Sequence, residues 1–212
     1  PTALQLEFVE QQRGDSEPGP VRMLVTAGHL RIDDGNGADG YILFDRGTRT
    51  LYSVSVEDAT VIVIEPVAAD PEPPLPLLLE ERRVEQLEAP TIGGRQPAQV
   101  DFLANGQVCY SAAVVPGLLP EAQAAEREYL EALAGEQRAH VGKLPQQLWD
   151  PCDLSRYLFA PVRHLAAGYP VQLWDASGYR RGLVGFEVGA AVDPALFELP
   201  AGYEQIRMEE RR

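Results

Sequence analysis

Two cysteines, Cys109 and Cys152, and three histidines, His29, His140 and His164, carry the most specific chemistry in this 212-residue chain. Neither cysteine sits in a C-x-x-C, which excludes the usual spacing of redox catalysis and of a zinc knuckle. In an oxidising compartment the pair forms a disulfide closing a loop of about 40 residues, worth on the order of 3–4 kcal/mol by chain entropy. In a reducing compartment the same residues are two separate buried thiols. The histidines stand apart, without H-x-x-x-H or H-E-x-x-H spacing. His140 and His164 fall towards the C-terminal ends of helical segments, where a protonated imidazole relieves the helix dipole.

The acidic loop at 33–40 invites a calcium test. Asp34, Asn36 and Asp45 occupy positions 1, 3 and 12 of a calcium-loop count, but Ala38 and Asp39 stand where a ligand and the turn glycine belong. An acidic hairpin loop is the expectation. No G-x-S-x-G, phosphate-binding G-x-x-x-x-G-K-[ST] or dinucleotide G-x-G-x-x-G is present. Nothing singles out a catalytic pair among the 32 acids. Arg13-Gly14-Asp15 reads as an ordinary loop. The residues therefore point to a protein that is not an enzyme, with no cofactor and no metal.

Net charge is −14, which repels phosphate backbones and anionic membrane surfaces. No run approaches the roughly 20 apolar residues that span a bilayer. The chain starts at Pro1 without methionine, as expected of a mature exported protein after signal-peptide removal, or of a trimmed chain. Export to the periplasm is the expectation.

Local patterns supply the scaffold. Residues 2–12 alternate, with Leu4, Leu6 and Phe8 on one side. VRMLVTAGHLRI reads as one or two strands, with Ala27-Gly28 as a bulge. GHLRIDDGNGADGYILFDRGTRTLYSVSVEDATVIVI is an antiparallel meander, because its connections are too short for a crossover helix. The proline-rich 65–76 is an extended connector, and LLLEERRVEQLEAP is assigned to strand. Asn105-Gly106 marks a hairpin with Cys109 on its return arm. From Pro120 a helix runs with the stripe Leu119, Ala122, Ala125, Glu126, Tyr129, Leu130, Leu133 and Ala134. A second helix, LSRYLFAPVRHLAAG, is interrupted near Pro161. A strand hairpin turning at 176–178 follows, and the final MEERR is expected to fray. A Cys109–Cys152 bridge would pin the helical insert to the Asn105-Gly106 hairpin.

The segments HLRIDD, YILFDRGTRTLYSV and DATVIVIE resemble the early strands of lipoprotein-carrier-like (LolA/LolB-like) proteins. The ending DPALFELPAGYEQI, with Phe197, Pro200, Gly202 and Tyr203, is similar to that of an uncharacterised family of exported bacterial proteins in the same superfamily. This resemblance covers the first third and the last few dozen residues. It implies one α+β domain over residues 1–212, with a helical insert at about 117–168. Its core would be a strongly curved antiparallel sheet, an incomplete β-barrel, with helices covering the concave side. It also implies binding of a lipid or lipoprotein acyl chain in the cell envelope. Alternation alone nominates Ile42, Phe44, Val54 and Val56 as ligand-lining, while the opposite phase, with Tyr41, Leu43 and Leu51, is nearly as good. The alternative function is an envelope protein–protein interaction module without a small ligand.

Overall fold

The structure, a computed structural model, describes residues 1–37, 39–68, 70–84, 89–143 and 145–207. Alternating and β-branched runs become twelve strands: β1 Thr2–Gln11, β2 Gly19–Val25, β3 His29–Asp33, β4 Gly40–Asp45, β5 Thr50–Ser55 and β6 Thr60–Ile64, then β7 Leu79–Val84, β8 Ala98–Ala104, β9 Gln107–Val115, β10 Tyr169–Trp174, β11 Arg180–Ala191 and β12 Glu204–Arg207. Between β9 and β10 lie α1 Pro120–Ala139, α2 Pro151–Asp153 leading into a π-helix at Leu154–Phe159, and α3 Arg163–Ala167. The break at residues 160–162 matches the interruption expected near Pro161.

The strands form one mixed sheet in the order β12-β6-β5-β4-β3-β2-β1-β11-β10-β9-β8-β7, not closed into a barrel. It is two meanders, β1 to β6 and β7 to β11, joined where β1 pairs antiparallel with β11. Among the described residues only β12 against β6 is parallel. Among the described residues no helix is long and apolar enough to cross a membrane.

The turns show why each strand stops. Asn105 and Gly106 take φ of 50° and 80°, the left-handed pair that a two-residue hairpin requires. Asp45 ends β4 by accepting, through Oδ1, the amides of Gly47 at 2.8 Å and Thr48 at 3.0 Å. Ala27-Gly28 is no bulge: it lies in the tight turn between β2 and β3, closed by Thr26 N donating to His29 O at 2.9 Å. Asp34 Oδ1 accepts the amides of Asn36 and Gly37, both at 2.8 Å, so that carboxylate also closes a turn. Ala38, the vacant place in the calcium count, lies outside the described residues, as do 85–88 of the segment assigned to strand and 208–212 at the C-terminus.

The main core joins both meanders. Leu4, Leu6 and Phe8 of β1 cluster with Met23, Leu30, Phe44 and Leu51, with Val115, Tyr169 and Val171, and with Ala122 and Ala125 of α1. Two alanines on that helix face let its backbone come close to the apolar side chains. The ring of Tyr129 meets Phe44 edge-on at 6.1 Å between centroids. Ion pairs fasten α1 to the sheet: Glu128 with Arg46 at 2.7 Å and Arg49 at 3.8 Å, and Glu126 with Arg181 at 2.6 Å. Cys109 of β9 and Cys152 of α2 are disulfide-bonded, with Cα atoms 5.0 Å apart, so the bridge holds the helical segment to the β8–β9 hairpin.

Candidate functional site

The register of the first meander divides the four nominated residues. Phe44 stands opposite Leu51 and Ile42 opposite Ser53, whereas Val54 stands opposite Tyr41. Cross-strand partners share a face. Ile42 and Phe44 therefore belong to the core beneath α1. Val54 packs on the other face with Val61, Val63, Tyr52 and the C-terminal Leu199 and Tyr203. Val56 is exposed just beyond β5. Phe44 is fully buried against Tyr129. The clefts along β10 and β11, beside the disulfide, on β1 and β2, and beside His140 are lined by other residues than these four.

The segments that carry the family resemblance come together in space. His29 stacks on Phe197 with centroids 5.7 Å apart. Arg31 lies 3.6 Å over the Tyr41 ring and donates to the Leu196 carbonyl at 2.7 Å, while the Tyr41 hydroxyl donates to the Glu198 carbonyl at 3.1 Å. Arg22 and Arg31 both reach Asp33. Burial by itself raises that carboxyl, but the hydrogen bonds from the two arginines outweigh it and hold Asp33 below the usual carboxylate range. In this chain the two motifs act as a clasp that fixes the C-terminal segment across β3 and β4.

Titratable groups of the insert are likewise committed to structure. Arg156 pairs with Asp175 and lies over the rings of Tyr110, Tyr157 and Tyr179 at 4.8, 5.3 and 4.8 Å, beside the disulfide. His164 does not serve as a protonated dipole partner: burial, reinforced by Arg181 and Arg156, lowers its pKa to about 3, so it stays neutral with Nδ1 3.3 Å from the Tyr110 hydroxyl. Arg181 and Glu126 form a buried pair whose side chains are 11% and 4% exposed. Beside it Glu126 Oε2, Tyr169 Oη and Arg181 Nη2 are buried with no partner at hydrogen-bond geometry among the described residues. The sequence held one signal for this pair, a carboxylate inside the apolar stripe of α1.

One surface lacks the partner that the fold elsewhere supplies. β11 pairs with β1 along its whole length, but with β10 only through residues 180–182. From Leu183 to Ala191 the second edge of β11 has no strand beside it among the described residues. Its large apolar side chains stand open, Val184 at 66%, Phe186 at 41% and Val188 at 74% exposure. Val184 also lines a cleft of about 390 Å³ with Glu7, Val9, Pro20 and Arg22 of β1 and β2. β11 is twice the length of its hairpin partner β10.

No family model matches the sequence, and no curated protein matches it significantly. Among solved structures, an uncharacterized conserved protein from Thermus thermophilus aligns at a TM-score of 0.47 with 11% identity, over 97% of this chain and 90% of that one. Two crystal forms of PNGF-II align at 0.44 and 0.45, each 8% identical, over 98% of this chain but only 31% and 32% of theirs. Likenesses of this strength carry no inference about the site or its chemistry.

Proposed function

We propose that this is a non-enzymatic, exported bacterial binding protein of the lipoprotein-carrier-like kind. In this reading its sheet curves around α1, and its task is to hold an extended apolar segment of another envelope protein. The observation that carries the reading is the open edge of β11: backbone without a strand partner among the described residues, beside Val184, Phe186 and Val188. An unpaired strand edge with apolar neighbours is the template for strand addition, in which main-chain hydrogen bonds give affinity and alternate side chains give selectivity. The Cys109–Cys152 bridge supports an oxidising compartment such as the periplasm.

Binding of an acyl chain between α1 and the sheet is the weaker reading. Phe44, Leu51, Ala122 and Ala125 fill that interface, and the nominated lining residues lie on two faces. Two measurements separate the readings. Mass spectrometry of organic extracts from the purified protein should yield no stoichiometric lipid. A fluorescent decapeptide alternating valine and serine should bind and be displaced by its unlabelled copy. Stoichiometric lipid without peptide binding would reverse the choice.

A further inference from the structure

Resting on β11 as the binding edge, we propose that the partner segment is an extended strand in which apolar residues alternate with lysine or arginine.

The two terminal edges of the sheet are defended by charge. β7 reads Leu79-Glu80-Glu81-Arg82-Arg83-Val84, with Arg82 paired to Asp101 and Glu81 to Arg163. β12 reads Glu204-Gln205-Ile206-Arg207, with Arg207 paired to Glu65. Charged side chains along an edge oppose pairing with another chain. The open part of β11 has no such defence: between Leu183 and Ala191 its single charged residue is Glu187.

The register with β1 assigns each side chain to a face. Phe186 lies opposite Leu6 and Val188 opposite Leu4, so both continue the apolar row of the core outward. Glu187 lies opposite Gln5, and Gly185 opposite Glu7, on the other face. The pairing skips Val184 and Gly189, which bracket a regular stretch from Gly185 to Val188. A strand added there sets every second side chain against Phe186 and Val188, and the intervening ones beside Glu187, with Glu7 one strand further in across Gly185. Glu187 makes no ion pair among the described residues. Glu7 accepts a hydrogen bond from Gln5 Nε2 at 3.0 Å and already faces Arg22 on β2, whose guanidinium bonds Asp33, so Glu187 is the acid left for a cation on the added strand. The apolar face therefore calls for valine-like residues and the acidic face for cations. A second copy of this chain fits poorly, because each copy carries −14 and would meet like charge.

Three fluorescein-labelled decapeptides, alternating Val/Lys, Val/Ser and Val/Glu, test this by fluorescence anisotropy at low and high salt. The Val/Lys peptide should bind about tenfold more tightly than Val/Glu at low salt, and the ratio should shrink at high salt as exposed charges are screened. Glu187→Lys should abolish or invert that preference. Val188→Asp should weaken the Val/Lys peptide about tenfold although it adds negative charge, which separates docking on the edge from general attraction to an acidic protein. Equal binding of all three peptides would overturn the basic alternation and leave the edge reading standing. No binding by any peptide, an unaffected Val188→Asp variant, or a dimer in sedimentation with β11 amides protected would overturn both.

Discussion

Removing one partner of the Arg181–Glu126 pair should be among the costliest single changes in the protein. The pair ties α1 to β11 at the point where β10 departs and the open edge begins. Arg181 lies 4.7 Å over the Phe8 ring, and burial, which disfavours its charge, is outweighed by Glu126 and the neighbouring Tyr169 and Tyr179, so its pKa is raised. Arg181→Met leaves the Glu126 carboxylate buried without its cation, at a cost of about 3–5 kcal/mol. Glu126→Leu strands the guanidinium in the same way. The double variant removes both charges and both desolvation costs. It should lie within about 1 kcal/mol of wild type, or above it, because apolar replacement of a buried pair is often neutral or stabilising. Urea unfolding under non-reducing conditions reads all four corners of the cycle. For a chain of this size each single variant should also lower Tm by about 6–20 °C. Single losses under about 1 kcal/mol, or a double variant as damaged as the sum of the singles, would refute the view that this pair is a mutually dependent unit.

Other consequences are narrower. Cys109→Ala with Cys152→Ala, or reduction, opens a loop spanning a sequence separation of 43, and should cost about 4 kcal/mol by denaturant unfolding. Gly135→Ala should stabilise by about 0.5–1 kcal/mol, since a Cβ there meets only Arg138 at 3.8 Å inside a helix; Gly40→Ala should destabilise by more than that, since φ is +140° and its Cβ would fall 2.3 Å from the Val54 carbonyl. His164, neutral in the folded state with a pKa of about 3, takes a proton in the unfolded state near its ordinary value. Its contribution is thus complete above about pH 6.5 and is lost as pH falls towards 3, about 2 kcal/mol by pH 5. Unfolding across pH 4–8 should show wild type losing about 2 kcal/mol more than His164→Asn between pH 7 and 5, over the slope that lowered carboxylates such as Asp33 give both.

Local grammar made the strands legible and long-range pairing decided the rest. Asn105-Gly106, the alternation of Leu4, Leu6 and Phe8, and the stripe of α1 each reflect short-range sterics or periodicity, and each element formed where its residues indicated. The face of Val54 was not legible. The connection at 46–49 pairs Asp45 with Thr50, so even-numbered residues of β4 stand opposite odd-numbered residues of β5. One residue of difference in that turn would have united Ile42, Phe44, Val54 and Val56 on a single face. The charge of His164 was equally hidden, because it depends on burial by distant elements rather than on helix position. The open edge depends on β1 meeting β11 across most of the chain length, a pairing that no local pattern encodes.

Amide hydrogen exchange along β11 tests the central claim most directly. In the free protein, alternate amides from Leu183 to Ala191, those facing away from β1, should exchange fast while their neighbours bonded to β1 stay protected. Saturating Val/Lys decapeptide should slow the fast set, with residues 185–188 most affected. Uniform protection of that stretch in the free protein, or no change on adding peptide, would contradict the account.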